Sequence, residues 1–286
     1  MRFVNAYEHS ESKRRKSMNY KALALDLDGT LINSNKEVTD RNKQAIWRAI
    51  DAGIAVILAS GRPALGIKAI EEELELQQRG GYVLAFNGGN IIDCRTGTLL
   101  YERSMPAECI YDICKVAAEY GVIPLTYTDD SIVAENDTDE YVLEEAECNA
   151  AEIQVVENLE QFVNYPVAKF LVVGEHTKLL LVQKNLLELH SAQIDAFFSE
   201  DYFLEVVPAG IKKSASLDSL LGILGIQAEE LVACGDGMND ISMLEYAGLA
   251  VAMRNAYSEV KKYADYIAPS NDEDGVAEVI ERFLLS

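Results

Sequence analysis

Two acidic residues that follow the first apolar run of the chain are the first candidates for chemistry. Asp26 and Asp28 belong to the motif Asp-Leu-Asp-Gly-Thr (residues 26–30), directly after the apolar run at 21–25. Side chains two residues apart on a strand point to the same side, so both carboxylates can face one opening. Neighbouring carboxylates that leave an apolar run are costly unless a cation or protons compensate their charge. The pair therefore predicts a site for a cation or for acid–base chemistry, although an ordinary Asp-Gly turn would look the same in isolation.

A second pair of carboxylates follows another apolar run near the end of the chain. Asp236 and Asp240 lie in Gly-Asp-Gly-Met-Asn-Asp (residues 235–240), after the run at 231–234. A hard cation such as Mg²⁺ takes oxygen ligands and usually keeps several waters and a substrate phosphate. Asp26, Asp236 and Asp240, helped by a backbone carbonyl, could supply the protein ligands. The two pairs together predict a magnesium site that binds a phosphorylated compound.

The apolar runs define the elements that would position these residues. Continuous rather than alternating hydrophobicity marks strands that are buried on both faces, as in a parallel sheet covered by helices. Helical patterns at 39–52 and 215–224 lie between such runs, so we expect an α/β fold with a doubly wound, Rossmann-like parallel sheet. In such sheets ligands bind beyond the carboxyl ends of the strands, where the polar clusters stand. The predicted core strands lie at 21–25, 54–59, 82–86, 231–234, 249–253 and 266–268.

Between residues 88 and 207 the pattern differs from that of the core. Two apolar segments flank a Cys-Arg-Thr-Gly-Thr turn at 94–98, which suggests a hairpin. Helical patterns at 106–120 and 177–191 and strand-like segments at 169–173, 196–199 and 203–207 follow, as is typical of an α+β insertion. The predicted domains are a disordered leader at 1–17, a discontinuous catalytic core at 18–87 and 208–286, and an α+β cap domain at 88–207.

The composition and charge argue against several classes of function. A formal net charge of −22 would repel nucleic acid at long range. No apolar run approaches the roughly eighteen residues needed to cross a bilayer. Five scattered cysteines without Cys-x-x-Cys spacing argue against a disulfide framework and a thiolate zinc site, and they fit a reducing cytoplasm. We expect a cytoplasmic monomer or homodimer that acts on a small phosphorylated metabolite, with no nucleic-acid or membrane partner.

Four motifs, in this order along the chain, resemble those of the haloacid dehalogenase-like hydrolases. They are Asp-Leu-Asp-Gly-Thr at 26–30, Ser-Gly-Arg at 60–62, Lys213 before a helix, and Gly-Asp-Gly-Met-Asn-Asp at 235–240. The segment Asn-Asp-Glu-Asp-Gly-Val at 271–276 and the long insertion after the third strand are similar to the Cof-type branch, whose cap is of the larger α/β kind (type IIB). The likeness covers residues 18–286 and implies a magnesium-dependent phosphatase.

The resemblance implies a role for each motif residue. Asp26 would attack phosphorus and form an aspartyl-phosphate. Asp28 would protonate the leaving alkoxide and then take a proton from the hydrolytic water. Ser60 and Lys213 would hold the phosphoryl oxygens. The metal ligands would be drawn from Asp26, Asp28, Asp236 and Asp240; whether Asp240 binds Mg²⁺ directly or braces another ligand stays open.

Further residues are expected to contact the substrate. They are Gly29, Thr30, Gly61, Arg62, Asn87, Lys169 and Asn239. Some also have plainer interpretations, since Arg62 could pair with a surface acid and Lys169 could be a solvated strand flank. Of two adjacent lysines we expect Lys213 rather than Lys212 to hold phosphate, because Ser214 suits the N-cap of the following helix. Ser214 also departs from the family pattern, which usually has Gly after the motif lysine.

Two other functions would use much the same residues. A phosphomutase would pass phosphate from Asp26 to a second sugar hydroxyl, and a phospho-aspartate sensor module would also use Asp, magnesium and Lys. Asp28 speaks against the sensor, because a nearby acid–base does not suit a long-lived acyl phosphate. A dinucleotide-binding turn would need Gly-x-Gly-x-x-Gly, but Asp240 stands at the position of the last Gly. The sequence also has no Gly-x-x-x-x-Gly-Lys-Ser/Thr run, which a P-loop would require.

Overall fold

The described part of the protein forms two β-sheets with helices packed against them. The computed structural model describes residues 19–286, so the leader predicted at 1–17 lies outside the described residues. The strands are β1 Ala22–Leu25, β2 Ala55–Ala59, β3 Tyr82–Ala85, β4 Asn90–Asp93, β5 Thr98–Glu102, β6 Ile123–Tyr127, β7 Ser131–Ala134, β8 Glu152–Val155, β9 Phe170–Val173, β10 Ile194–Glu200, β11 Phe203–Pro208, β12 Leu231–Gly235, β13 Leu249–Met253 and β14 Tyr266–Ala268. The α-helices are α1 Asp40–Asp51, α2 Lys68–Glu73, α3 Leu76–Arg79, α4 Ala107–Tyr120, α5 Glu140–Cys148, α6 Leu159–Phe162, α7 His176–His190, α8 Lys213–Leu224, α9 Ile241–Tyr246 and α10 Gly275–Val279.

The first sheet has the order β14-β13-β12-β1-β2-β3-β4-β5, and its six strands from β14 to β3 are parallel. Every residue of β1 is buried, as its unbroken apolar run predicts for a central strand. Leu25 pairs with Leu58 of β2 and with Cys234 of β12. The carboxyl ends of these three strands therefore meet at one edge. The prediction of a doubly wound α/β core is confirmed.

The predicted hairpin forms, but it extends the core sheet rather than the insertion. β4 pairs antiparallel with β3, and β5 pairs with β4. Ile91 of β4 packs with Leu84 and Leu217 in an apolar cluster on the core. The boundary that we expected at residue 88 therefore falls before two strands of the core sheet, and the chain leaves that sheet only after β5.

The second sheet has the order β10-β11-β9-β6-β7-β8, and its neighbours are antiparallel except for β7 and β8. Phe170 and Leu204 on one face pack against α4 and α7. Leu171 and Phe203 on the other face belong to the same apolar cluster as the core strands. Because side chains alternate along a strand, this second face is turned towards the core. The sequence predicted β9 to β11, α4 and α7, but it did not identify β6 to β8, α5 and α6.

No helix within residues 19–286 is long and apolar enough to cross a membrane.

Candidate active site

Three carboxylates meet where β1 and β12 end. Asp26 follows β1, and its N–H donates to the carbonyl of Cys234 at 3.0 Å, which ties the two strand ends together. Asp236 and Asp240 lie in the loop after β12. Each of the three residues offers a carboxylate oxygen, and these oxygens lie within 4.8 Å of one another. Residues separated by more than 200 positions in the sequence thus form one acidic cluster.

Lys213 is fully buried against this cluster. Its Nζ donates to Asp26 Oδ1 at 2.7 Å, to Asp240 Oδ1 at 2.6 Å and to the carbonyl of Ala59 at 2.8 Å. The lysine reaches these groups because α8 begins at Lys213 itself. The expectation that Ser214 is the N-cap is wrong: the exposed Lys212 occupies that position without a side-chain cap bond, and Ser214 lies in the first helical turn.

The electrostatics of the cluster fit a divalent cation. Burial and the neighbouring Asp240 raise the pKa of Asp26 although Lys213 opposes the shift. Burial likewise raises the pKa of Asp236 to about 6. Burial alone would lower the pKa of Lys213, but the two carboxylates that it contacts outweigh this effect, so the lysine stays charged. When all three carboxylates are ionised, they and the one ammonium leave two negative charges uncompensated, and hard oxygen donors suit Mg²⁺ or a similar ion.

Asp240 and Asp236 are engaged differently. Asp240 Oδ1 accepts from Lys213, and its Oδ2 accepts from the N–H groups of Asp236 at 2.9 Å and Gly237 at 2.8 Å. The side-chain carboxylate of Asp236 accepts one hydrogen bond from the described residues, from the hydroxyl of Thr30 to Oδ1 at 2.7 Å. Asp240 therefore shapes the loop, whereas Asp26 and Asp236 each keep Oδ2 available to a ligand.

Asp28 does not join the three-carboxylate cluster. Arg62 binds both of its oxygens, with Nε at 2.7 Å from Oδ2 and Nη2 at 2.6 Å from Oδ1. Lys36 Nζ is 3.6 Å from Oδ1. Burial would raise the pKa of Asp28, but the hydrogen bonds and charge of Arg62, together with Lys36, lower it. The carboxylate is therefore ionised in this state and turned to Arg62 rather than to the three-carboxylate cluster.

Most of the other predicted residues lie around the same strand ends. Ser60 is buried, and its Oγ accepts from the N–H of Arg62 at 3.2 Å. Gly61 lies against the Asn87 side chain, whose amide nitrogen would be 3.0 Å from an added Cβ. Asn87 Oδ1 in turn accepts from Asn239 at 3.0 Å. The structure thus links the Ser-Gly-Arg turn to the loop after β12 through Asn87.

Asn255 is a residue at this site that sequence reasoning missed. Its Nδ2 donates to the carbonyl of Gly29 at 2.7 Å. Its Oδ1 accepts from the N–H of Asn271 at 3.1 Å, so it joins the first motif to the segment at 271–276. A single asparagine after β13 carries no sequence signal for this contact.

A cavity of about 890 Å³ opens beside Asp28 and Arg62, between the core and the second sheet. Asp28, Arg62 and Lys36 line it on the core side. Lys169 lines it on the side of the second sheet and is buried, with its Nζ 2.9 Å from Glu205 Oε1. Lys169 is therefore not the solvated flank that was its plainer interpretation. Glu205 also lines the cavity, and sequence reasoning missed it because nothing separates it from the many other acidic residues of the segment 88–207.

Gly29 provides a direct test of how closely the first motif approaches Asp236. Its φ is +82°, and an added Cβ would lie 2.3 Å from Asp236 Oδ2. Gly29→Ala is therefore expected to displace this carboxylate and to lower kcat by about a hundredfold, the usual cost of a misplacement near 1 Å. Backbone strain should also lower the free energy of unfolding by about 1–2 kcal/mol. Substrate turnover and thermal unfolding measure the two effects.

Gly53 is the matched control for Gly29. It has a similar φ of +86°, but no heavy atom lies within 4 Å of an added Cβ. Gly53→Ala should show the backbone strain alone, with activity retained. Equal activity in the two variants would contradict the inferred contact between residue 29 and Asp236.

Comparison with protein families and with solved structures agrees with the family resemblance of the four motifs. A family model described as haloacid dehalogenase-like hydrolase matches residues 23–280. A Bacillus subtilis protein named 5-amino-6-(5-phospho-D-ribitylamino)uracil phosphatase is 31% identical over 290 residues, covering 92% of this chain and 98% of that protein.

Two solved structures from Bacteroides thetaiotaomicron share the fold. One, a haloacid dehalogenase-like hydrolase, has 45% identity and a TM-score of 0.89, covering 92% of this chain and 99% of that one. The other, described among phosphatases of the haloalkanoate superfamily, has 25% identity and a TM-score of 0.79, covering 94% and 97%. The fold is thus shared along nearly the whole chain.

Proposed function

This chain belongs to the haloacid dehalogenase-like hydrolases as a Cof-type phosphatase, and on that premise we propose that it hydrolyses a small phosphorylated metabolite with Mg²⁺ through an aspartyl-phosphate on Asp26. One observation carries the proposal. Asp26 pairs with Lys213, and one of its carboxylate oxygens lies within 4.8 Å of one from Asp236. Asp28, two residues further along the chain, pairs with Arg62. These contacts support the proposal, because the proposed nucleophile, a cation, the proposed metal ligand and the proposed acid–base all lie at one edge of the sheet.

In the first step Asp26 attacks the phosphorus atom of the substrate. A bond forms between its carboxylate oxygen and phosphorus, and the bond from phosphorus to the leaving oxygen breaks. Asp28 gives its proton to that oxygen. Lys213 and Ser60 hold the phosphoryl oxygens, and Gly61, Thr30 and Asn239 line or brace the loops around them.

When bound, Mg²⁺ supplies positive charge that compensates the carboxylates and the phosphate, with Asp26 and Asp236 as side-chain ligands and Asp240 bracing the loop.

In the second step water hydrolyses the aspartyl-phosphate. Asp28, now ionised, takes a proton from the water as its oxygen attacks phosphorus. The bond between phosphorus and Asp26 breaks, inorganic phosphate leaves, and the Asp26 carboxylate is restored.

The first step requires a protonated Asp28, and the pairing with Arg62 controls whether Asp28 can hold that proton. Paired with Arg62, Asp28 cannot hold a proton well, because protonation would cost it two charge-assisted hydrogen bonds. The guanidinium also binds phosphate oxygens readily, so an incoming substrate can draw Arg62 away from Asp28. Asp28 is then free to be protonated, and substrate binding prepares the acid.

Removal of the metal is expected to abolish turnover. Without a cation, two negative charges at the cluster remain uncompensated and repel the substrate phosphate. Excess chelator should therefore reduce phosphate release to background, and added Mg²⁺ should restore it. Mg²⁺ should also raise the melting temperature of wild-type protein but much less that of Asp236→Asn. Full activity in excess chelator would refute the metal requirement.

The relative from Bacillus subtilis suggests the first substrate to test. 5-Amino-6-(5-phospho-D-ribitylamino)uracil joins a phosphorylated polyol to a ring, and the cavity of about 890 Å³ has room for a ligand of that size. A screen of phosphorylated metabolites, including this compound, would identify the preferred substrate. Stoichiometric release of inorganic phosphate separates a phosphatase from a phosphomutase, which would return the phosphate to a second hydroxyl.

A further inference from the structure

Three buried charged residues line the cavity on the side that belongs to the second sheet and α5. We call Glu145, Lys169 and Glu205 the acceptor wall. Glu145 lies on α5, Lys169 immediately precedes β9, and Glu205 lies on β11. All three line the cavity that Asp28 and Arg62 line on the core side. The acceptor wall is therefore a surface that the leaving group of a bound substrate can meet.

The contacts within the acceptor wall are incomplete. Lys169 Nζ pairs with Glu205 Oε1 at 2.9 Å. Glu145 Oε1 accepts from the hydroxyl of Tyr127 at 2.7 Å and from Asn149 Nδ2 at 2.9 Å. Glu205 is only 8% exposed, yet its Oε2 has no hydrogen-bond partner among residues 19–286. A buried carboxylate oxygen without a donor is unfavourable, so its presence calls for an explanation.

The packing of β11 does not supply that explanation. Leu204 and Val206, on either side of Glu205, face the apolar cluster with α4 and α7. Glu205 therefore faces the cavity side of the sheet, where Leu171 is its neighbour on β9. An apolar residue at this position would satisfy the sheet without burying a charge. The carboxylate is better explained by a ligand that donates to it.

We propose that the acceptor wall binds hydroxyl or amino groups of the leaving group, so that the substrate is a phosphomonoester rich in hydrogen-bond donors and without a second anionic group. This inference rests on the proposed phosphatase function. Donors on a polyol or an amine can pair with Glu205 Oε2 and with the carboxylate of Glu145. A second carboxylate or phosphate would instead meet two carboxylates that share one ammonium, and repulsion would exclude it.

The proposal is tested with three phosphomonoesters of similar length. Sorbitol 6-phosphate carries hydroxyl donors, hexyl phosphate carries none, and 6-phosphogluconate ends in a carboxylate. We expect kcat/KM for sorbitol 6-phosphate to exceed that for each of the others by about tenfold to a hundredfold, the discrimination that a buried polar partner provides. Glu205→Gln should lower both ratios by about tenfold, because an acceptor is lost and Lys169 loses its partner charge. Glu152→Gln, an exposed glutamate on β8 of the same sheet, is the matched control and should keep the wild-type ratios.

Two further measurements distinguish a failure of the proposed phosphatase function from a failure of the acceptor wall. Acetyl phosphate has no distal group, so its magnesium-dependent hydrolysis by wild-type protein reports on the proposed function alone. Calorimetry gives the Kd of sorbitol 6-phosphate and hexyl phosphate for wild type and Glu205→Gln without requiring turnover. A tenfold preference for sorbitol 6-phosphate that falls in Glu205→Gln supports the acceptor wall even if no substrate is hydrolysed. Equal Kd values in wild type, or a preference that Glu205→Gln and Glu152→Gln both retain, would overturn it.

Discussion

Asp26→Asn is expected to lower kcat by about 10⁴- to 10⁶-fold, the range seen when a catalytic nucleophile is removed. An amide oxygen is too weak a nucleophile to displace the leaving group, and the variant cannot form the aspartyl-phosphate. The fold should persist, because asparagine has the same shape and can still accept from Lys213. Burial and Asp240 already disfavour a negative charge at this position, so the melting temperature without metal should not fall. Phosphate release and thermal unfolding measure the two outcomes.

Asp28→Asn is the companion variant for this experiment. It keeps the nucleophile but lacks the acid–base, so both steps should slow and the aspartyl-phosphate should accumulate. Intact-protein mass spectrometry after mixing with substrate should detect a phosphate adduct in Asp28→Asn and none in Asp26→Asn. A correctly folded Asp26→Asn protein that retains full activity would contradict covalent catalysis by this residue.

Lys213→Ala is expected to lower the rate by about a hundredfold to a thousandfold, which corresponds to about 3–4 kcal/mol of lost transition-state stabilisation. The buried ammonium contacts Asp26 and Asp240 directly and is the one cation in contact with the cluster among the described residues. Its removal leaves charges on the transferring phosphoryl group and on the carboxylates without a preorganised partner. Steady-state phosphate release at saturating Mg²⁺ measures the effect.

Lys212→Ala is the matched control, since it changes the adjacent lysine at an exposed position. Its rate should differ from wild type by only a few-fold. Because Lys213→Ala also opens a space and leaves buried carboxylates unpaired, Lys213→Met is a second variant that fills the space without the charge. The assignment is wrong if Lys212→Ala is the crippling substitution and Lys213→Ala the mild one.

The sequence alone predicted the core sheet and most of the residues at its carboxyl edge. Two facts made this possible: the strands read as unbroken apolar runs, and the reactive residues directly follow them. Asp26 follows β1 and Asp236 follows β12. Parallel register then brings these positions together without any knowledge of the side-chain contacts. The start of α8 at Lys213 was not predicted, because no capping side chain marks it. The first residue of the helix instead makes tertiary contacts, such as that of Lys213 with Asp240.

The second sheet was less predictable for physical reasons. Three of the four residues of β8 are exposed, and two of them are Glu152 and Gln154, so the strand lacks the apolar pattern that would distinguish it from a loop. The hairpin of β4 and β5 was recognised, but only tertiary pairing with β3 shows which sheet it extends. The partners of Glu205 and Lys169 come from separate elements, and a local pattern contains no information about such contacts.

The distance along the chain between β1 and β12 has a consequence for how the protein is made. The bond between Thr30 and Asp236 joins residues 206 positions apart, so the acidic cluster cannot form until β12 has left the ribosome. The second sheet, by contrast, is continuous in sequence and can fold before β12 pairs with β1. Closing a long loop costs little more than closing a short one, about 0.6 kcal/mol for each doubling of length. The core can therefore accommodate insertions of different size between β5 and α8, and the part of the protein that faces the leaving group can be exchanged without rebuilding the site that cleaves the phosphate.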